Sequence, residues 1–364
     1  MCKGAQALGL RWRRQRRINL ALEGGGAHGA FTWGVLDRLI EEADLDIGWI
    51  SGTSAGAVNA VALAAGLIDG TAGARAKLRA VWEAVARAGV PDLMRLNPWL
   101  AGLSRSQTLA QVASLFSPYD FNPLGFDPLR KVLEAHIDFS LLRTQPGPEL
   151  LIAATDVATG RPRLFRRREL SVASVLASAC LPTLHHAVAV DGRAYWDGGF
   201  SANPDLITLA RDSPVADTLI VKLNPLSVDS LPTSAREITA RINHITFSQP
   251  MLRDVELIES LRKSSRGWAP LSRAARRLVR HRFHLIEAGR ITSTLSPESK
   301  AKPDLELLFH LCAAGRAETE KWLARRGQAI GRHASVDLAA HFLGERPAGA
   351  APARPVGASG EAAA

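Results

Sequence analysis

Cysteine is scarce in this chain of 364 residues: Cys2, Cys180 and Cys312 are odd in number, far apart and without metal-ligand spacing. A disulfide framework and a cysteine-built metal site are therefore excluded, and the expected setting is a reducing, cytoplasmic compartment. No apolar run reads as a lipid-facing helix. The two uncharged stretches, 47–68 and 170–190, are interrupted by Gly, Ser, Thr, Pro182, His185 and His186, which suits buried strand–turn–helix structure in a soluble protein. A secretory leader is not expected either, because the basic start runs directly into the short apolar run Ile18–Leu22. No fixed-period repeat and no Asp/Glu calcium loop occur, so solenoids and EF-hand chemistry drop out.

Acidic residues are missing from two segments. Residues 1–17 carry six Lys or Arg and residues 262–284 carry eight, against a formal charge of +10 for the whole chain, so the remaining body is mildly acidic. Attraction to a polyanion must act through those two patches. On a helical wheel, Leu271, Ala274, Ala275, Leu278 and Val279 share one arc and Arg273, Arg276, Arg277 and Arg280 the other. Two readings follow: a helix packed on the domain with a solvated arginine face, or peripheral contact with anionic membrane through those four arginines, at the inner face, with Trp268 beside them. Nucleic acid is not expected, since stacking aromatics do not interleave with the basic residues. Trp82, Trp322 and Cys180 sit in apolar patterns and read as core.

With 46% hydrophobic and 22% charged residues the chain is that of a folded protein. Ile18–Leu22 reads as a buried strand, followed by the turn Glu23–Gly29 and a helix from Ala30 to Glu42. Asp46–Ile50 is a second strand, then Gly52–Gly56 and a small-residue helix to Leu67. Strand, glycine turn, helix, repeated, predicts an α/β sheet with its functional turns at the strand carboxyl ends. Residues 72–145 look mostly helical, a lid or side wall. Strands are expected at Glu149–Ala154, Pro162–Arg166 and Thr218–Leu223, with a hairpin at His186–Trp196 turning on Asp191-Gly192. From Leu231 to Leu343 the pattern is helical, and 346–364 is Pro/Ala/Gly-rich and expected to be disordered.

Three segments carry chemistry. Gly24, Gly26 and Gly29 fit G-x-G-x-x-G, which raises a dinucleotide site and hence an oxidoreductase. That reading needs an acid ending the second strand, and Trp49-Ile50-Ser51-Gly52-Thr53-Ser54 has none. Gly52-Thr53-Ser54-Ala55-Gly56 is a G-x-S-x-G between strand and helix, the context that lifts a serine onto a sharp elbow and frees the next N–H, that of Ala55. Tyr195-Trp196-Asp197-Gly198-Gly199 closes another short strand. With no histidine in a convincing position, Asp197 becomes a candidate base acting directly on Ser54.

The glycine loop, the GTSAG elbow and the later Asp-Gly-Gly, in this order over residues 18–224, resemble the patatin-like phospholipase family, with a C-terminal extension like that of some bacterial members. The resemblance implies a three-layer α/β/α fold around a mainly parallel sheet. It also implies a Ser–Asp dyad of Ser54 and Asp197, an oxyanion loop of Gly24, Gly25 and Gly26 with Ala55, and motif glycines Gly29, Gly52, Gly56, Gly198 and Gly199. The expected activity is a serine acyl hydrolase on lipid esters, in lipid catabolism, without cofactor or metal. The alternative is a lipid-binding or regulatory protein of little turnover. The family loop commonly starts with Asp and has Arg or Lys before its last glycine. Glu23 and His28 hold those places here, and a neutral His28 would lower the positive charge beside the oxyanion. The expected layout is a flexible 1–17, a catalytic domain 18–224, a helical extension 225–345 and a disordered tail 346–364.

Overall fold

The computed structural model describes residues 15–88, 117–227, 231–265, 271–293, 295, 299–300 and 303–344. Its strands are β1 Arg16–Leu22, β2 Leu45–Thr53, β3 Glu149–Asp156, β4 Pro162–Arg166, β5 Val188–Val190, β6 Arg193–Asp197, β7 Asp217–Lys222 and β8 Arg282–Glu287. They form one sheet in the order β5-β6-β3-β2-β1-β7-β8, with β4 also paired to β3. The run β3-β2-β1-β7-β8 is parallel, and β4, β5 and β6 pair antiparallel. The main helices are α1 Gly29–Leu39, α2 Ala55–Gly66, α3 Gly70–Ala88, α4 Pro128–His136, α5 Phe139–Thr144, α6 Val172–Ser178, α7 Leu206–Asp212, α8 Ala235–Ser264, α9 Arg273–Arg280 and α10 Leu305–Arg326.

A parallel sheet needs cover on both faces, and its strands are accordingly buried almost throughout. One face packs on α1, α2, α3 and α10, through residues such as Phe31, Leu36, Val61, Leu78, Leu308 and Trp322. The other packs on α7 and α8, through Leu206, Leu209, Met251, Val255 and Ile258. This is the three-layer α/β/α fold. The uncharged stretch 47–68 is divided between β2 and α2 and lies in the core. Trp82, Trp322 and Cys180 are buried as expected.

The edge of β3 is shared end to end. Thr53 of β2 pairs with Ala153, and Asp197 of β6 pairs with Ala154, the next residue. Ala154 also pairs with Arg163 of β4, and a strand residue has one neighbour on each side. β6 therefore continues along the edge that β2 occupies. The register alone brings the end of β6 to the elbow that follows β2. The β5–β6 hairpin turns on Asp191 and Gly192 at φ 49 and 76, the double left-handed conformation that an Asp-Gly turn supplies.

Two expectations change. The flexible leader expected over 1–17 does not include Arg16 and Arg17: β1 begins at Arg16, held by Asp44 at 2.7 Å, and Arg17 pairs with Asp46 at 2.9 Å. The rest of the leader, the tail from 345 and Trp268 lie outside the described residues. The C-terminal part is also not purely helical, because β8 extends the sheet beside β7. Asp217 fixes it there, accepting from Arg282 at 2.6 Å and from the Gly331 N–H at 3.0 Å. The segment therefore completes the sheet that carries the site.

α10 lies against α1 at a contact without side chains: a Cβ on Gly34 would strike the Cys312 carbonyl, and one on Gly315 the Phe31 carbonyl. Replacing Gly by Ala inside a helix ordinarily stabilises by about 1 kcal/mol. Gly34→Ala is expected to do the reverse and destabilise by about 2–4 kcal/mol, because two backbones must separate. Urea denaturation measures it, and a midpoint at or above that of the wild type would contradict the packing described.

Candidate active site

Ser54 sits between the last residue of β2 and the first of α2, at φ 55 and ψ −121. For a residue with a Cβ this conformation is strained, by about 1–3 kcal/mol, and it persists only where the surroundings hold it. Several contacts do. The Ser54 N–H donates to Ser178 Oγ at 3.0 Å, and the Thr53 hydroxyl to the Ala202 carbonyl at 2.8 Å. The flanking glycines are required by close approach. A Cβ on Gly52 would lie 2.6 Å from the Gly56 carbonyl, and one on Gly56 would strike the carbonyl of Leu22. The first turn of α2 thus rests directly on the end of β1, beside the glycine loop.

Asp197 is fully buried at the end of β6. Its N–H donates to the Cys180 carbonyl at 2.7 Å, and its carbonyl accepts from Thr155 Oγ1 at 2.7 Å. Oδ1 accepts the Gly199 N–H at 2.7 Å. Oδ2 is buried with no hydrogen bond of good geometry, so the approach of Ser54, though close enough to favour the ionised carboxyl, is loose. Burial raises the Asp197 pKa to about 7, with the Gly199 N–H and Ser54 pulling it down. A buried carboxylate with no ion pair and a free oxygen is a stronger base than an exposed one. Gly198 and Gly199 are again places of close approach: a Cβ would strike the Ala153 carbonyl at the first and Phe247 of α8 at the second.

The glycine loop faces the elbow. A Cβ on Gly24 would come within 2.9 Å of the Ser54 Cβ, and one on Gly29 within 2.6 Å of the Ala55 Cβ. Of the four amides expected to hold an oxyanion, that of Gly24 is already committed, donating to Asn203 Oδ1 at 2.8 Å. Asn203 is itself anchored, its Nδ2 donating to the Phe247 carbonyl at 3.0 Å. Gly24 therefore positions the loop. Among the described residues, the N–H groups of Gly25, Gly26 and Ala55 donate to no other group and remain open.

Both departures in the loop have structural roles. Glu23 is buried, and its Oε2 accepts the N–H of Leu223 at 2.5 Å and of Asn224 at 3.0 Å, clamping the end of β1 to the end of β7. His28 is buried with Nε2 2.7 Å from Ser299 Oγ. Burial, with Lys300 and His244 nearby, lowers its pKa to about 4. His28 is thus neutral at pH 7.

Asn203, Ser178, Thr155, Ser299 and Lys300 were not singled out for the site by sequence. Asn203 had a faint signal as the Asn-Pro that follows the Asp-Gly-Gly turn; the others contact the site only through the fold. α9 lies elsewhere. Arg277 Nη1 donates to the carbonyls of Arg211 and Asp212, just before β7 begins, so the arginine helix sits at the amino-terminal ends of the strands, opposite Ser54. Leu278 is buried and Arg273, Arg276 and Arg280 are exposed, the packed helix with a solvated face.

The profile of a family described as patatin-like phospholipase matches residues 20–210. Uncharacterized NTE family proteins of Mycobacterium tuberculosis and Mycobacterium bovis are 29% identical over 261 residues, covering 70% of this chain and 62% of theirs. The chain thus spans less than two thirds of the length of these curated relatives. Among solved structures, VipD from Legionella pneumophila overlaps 85% of this chain and 67% of its own at 17% identity and a TM-score of 0.39. ExoU, in its complex with SpcU from the type III secretion system of Pseudomonas aeruginosa, overlaps 85% and 52% at 18% identity and a TM-score of 0.31. Overlaps that partial are similarity and nothing more.

The burial of His28 makes a prediction of its own. Its imidazole resonances should not shift between about pH 5.5 and 8, whereas an ordinary histidine titrates near 6.5. NMR of histidine-labelled protein, assigned with His28→Gln, would show it. A titration midpoint near 6.5 would contradict the contacts drawn around the loop.

Proposed function

Since this chain belongs to the patatin-like phospholipase family, we propose that it is a serine acyl hydrolase acting on lipid esters through Ser54 and Asp197. The observation that carries the reading is the β3 edge, where consecutive residues seat the end of β2 and the end of β6 and so bring a strained serine to a buried carboxylate with one free oxygen. In this mechanism Ser54 Oγ bonds to the ester carbonyl carbon as its proton passes to Asp197 Oδ2. The negative charge that develops on the carbonyl oxygen is received by the N–H groups of Gly25, Gly26 and Ala55, donors already in place before the reaction. Collapse breaks the bond to the leaving alcohol, which takes the proton back from Asp197. Water repeats the sequence and releases the acid, and neither half needs a metal or cofactor.

The substrate class, a phospholipid or other acylglycerol, is part of the proposal, as is a role in lipid breakdown. So is the cytoplasmic location, which fits the buried free thiols of Cys180 and Cys312. The site favours approach from the carboxyl ends of the strands, where α8 carries exposed Ile238, Ile242 and Ile245 near Phe247 and His244. Contact between Arg273, Arg276, Arg277 or Arg280 and an anionic membrane would occur at the other end, as an attachment separate from substrate delivery.

Asp197 must be ionised to accept the proton, and its pKa is raised to about 7. Activity should therefore rise with pH through about 7, well above the range of an ordinary carboxylate. Hydrolysis of p-nitrophenyl octanoate by wild type, Ser54→Ala and Asp197→Asn, with folding checked by circular dichroism, tests the pair. Each substitution is expected to lower kcat by about 10⁴-fold or more, with little further loss in the double variant. Equal weak activity in all three folded proteins would remove the pair, and no fluorophosphonate labelling of the wild type would favour a binding protein.

A further inference from the structure

Ser299 and Lys300 lie in the C-terminal part of the chain, yet they meet the glycine loop at several points. Ser299 Oγ is 2.7 Å from His28 Nε2. The Lys300 carbonyl fills the space that a side chain on Gly26 would need, and Gly26 is held at φ 58, a conformation that favours glycine. Lys300 Nζ donates to Asn224 Oδ1 at 2.5 Å, and Asn224 Nδ2 donates in turn to the Gly24 carbonyl at 3.2 Å. The same ammonium lies 2.9 Å from His244 Nε2 on α8. An ammonium only donates, so His244 accepts through Nε2 and is neutral. Burial, with Lys300, Arg241 and Lys222, lowers the His244 pKa to about 4.

The loop is thereby tied at three points to residues 299 and 300. Gly24 is reached through Asn224, Gly26 is covered by the Lys300 backbone, and His28 is bound to the preceding residue. The loop has no cation of its own, because His28 is neutral. Among the described residues, Lys300 is the ammonium that reaches it through hydrogen bonds.

We propose that Lys300 is a positioning residue of the oxyanion loop: through Asn224 and Gly24 it holds the loop with the Gly25 and Gly26 N–H groups open, and it supplies the positive charge that favours a developing oxyanion there. The proposal rests on the acyl-hydrolase reading above. The charged and titratable groups facing Lys300 are Glu23 at the end of β1, Lys222 of β7, His28 of the loop and His244 of α8; Arg241 lies beyond His244, and Glu287 of β8 beyond Lys222. Burial lowers the Lys300 pKa to about 8, with Glu23 opposing and Lys222 adding to it. The protonated form is the one that stabilises the oxyanion. Activity should therefore fall as pH rises through about 8.

The test compares wild type, Lys300→Met and Lys300→Arg on p-nitrophenyl octanoate across this pH range, with folding followed by circular dichroism. Lys300→Met is expected to lower kcat by about 10- to 100-fold, with KM within about twofold of wild type. Lys300→Arg should restore most of kcat and abolish the fall above pH 8, because a guanidinium does not deprotonate there. A residue that only filled space would leave the high-pH limb where it was. A Lys300→Met kcat within about twofold of wild type, or an unchanged high-pH limb in Lys300→Arg, overturns the assignment. Should Lys300→Met fail to fold, the Lys300→Arg profile decides alone. Fluorophosphonate labelling separates the two levels. Wild type that labels, with Lys300→Met labelling equally fast, removes only the role of Lys300. Wild type that neither labels nor turns over the ester removes the hydrolase reading and this role with it.

Discussion

Two consecutive alanines on β3 determine where Ser54 and Asp197 meet, and the proposed chemistry depends on that meeting. Ala153 pairs with the last residue of β2 and Ala154 with the last residue of β6. A slip of one residue in either ladder would turn the strand over and send its terminal side chain to the other face. The register is secured by hydrogen bonds that do not involve the carboxylate: Asp197 N–H to Cys180, its carbonyl from Thr155. Asp197 thus needs no cation to hold it. That absence is also what makes it basic, since a carboxylate fixed by backbone and left without an ion pair feels its burial in full. Placement and the raised pKa come from one arrangement.

The second constraint is distance between backbones. Gly52, Gly56, Gly198, Gly29 and Gly24 stand where a Cβ would meet another strand, helix or loop. In three of these five, Gly24, Gly29 and Gly56, the neighbour belongs to another part of the site itself, so these glycines draw the elbow and the loop into a volume that larger residues would force apart. A turn needs one glycine, but a site assembled from three backbones needs one at each approach. The strained Ser54 is tolerated for the same reason: its neighbours cannot relax without breaking the contacts between the start of α2 and the end of β1.

What the sequence disclosed follows from how local each signal is. The first two strand–turn–helix units, the Asp-Gly hairpin and the three motifs are written in adjacent residues, and the structure has them at nearly the expected boundaries. β8 was hidden because Phe283-His284-Leu285-Ile286 follows directly on a run of arginines in a long helical stretch, and pairing with β7 rather than any local pattern makes it a strand. The commitment of Gly24 to Asn203 spans 179 residues, and the contact of His28 with Ser299 spans 271. Neither end carries a mark of the other. A glycine motif can therefore say which amides surround a serine, but only the fold says which of them are still free.

Those distant contacts also change what the C-terminal third is for. β8 lies against β7, and β7 runs on into Leu223 and Asn224, whose amides Glu23 grips. Thr292, just beyond β8, donates to the Leu223 carbonyl at 2.7 Å. The end of β1, and with it the start of the glycine loop, is thus braced by hydrogen bonds between the Glu23 and Thr292 side chains and the backbone after β7, a chain that leads into residues far downstream. α8 closes the other side, with Phe247 against Gly199 and its carbonyl on Asn203. A loop of three glycines has almost no side-chain packing with which to fix itself, and the flexibility that lets it approach Ser54 would otherwise scatter its donors. The downstream segments supply that missing rigidity. In this chain the part that looks like an appendage to the motifs is what gives the most flexible of them a single shape.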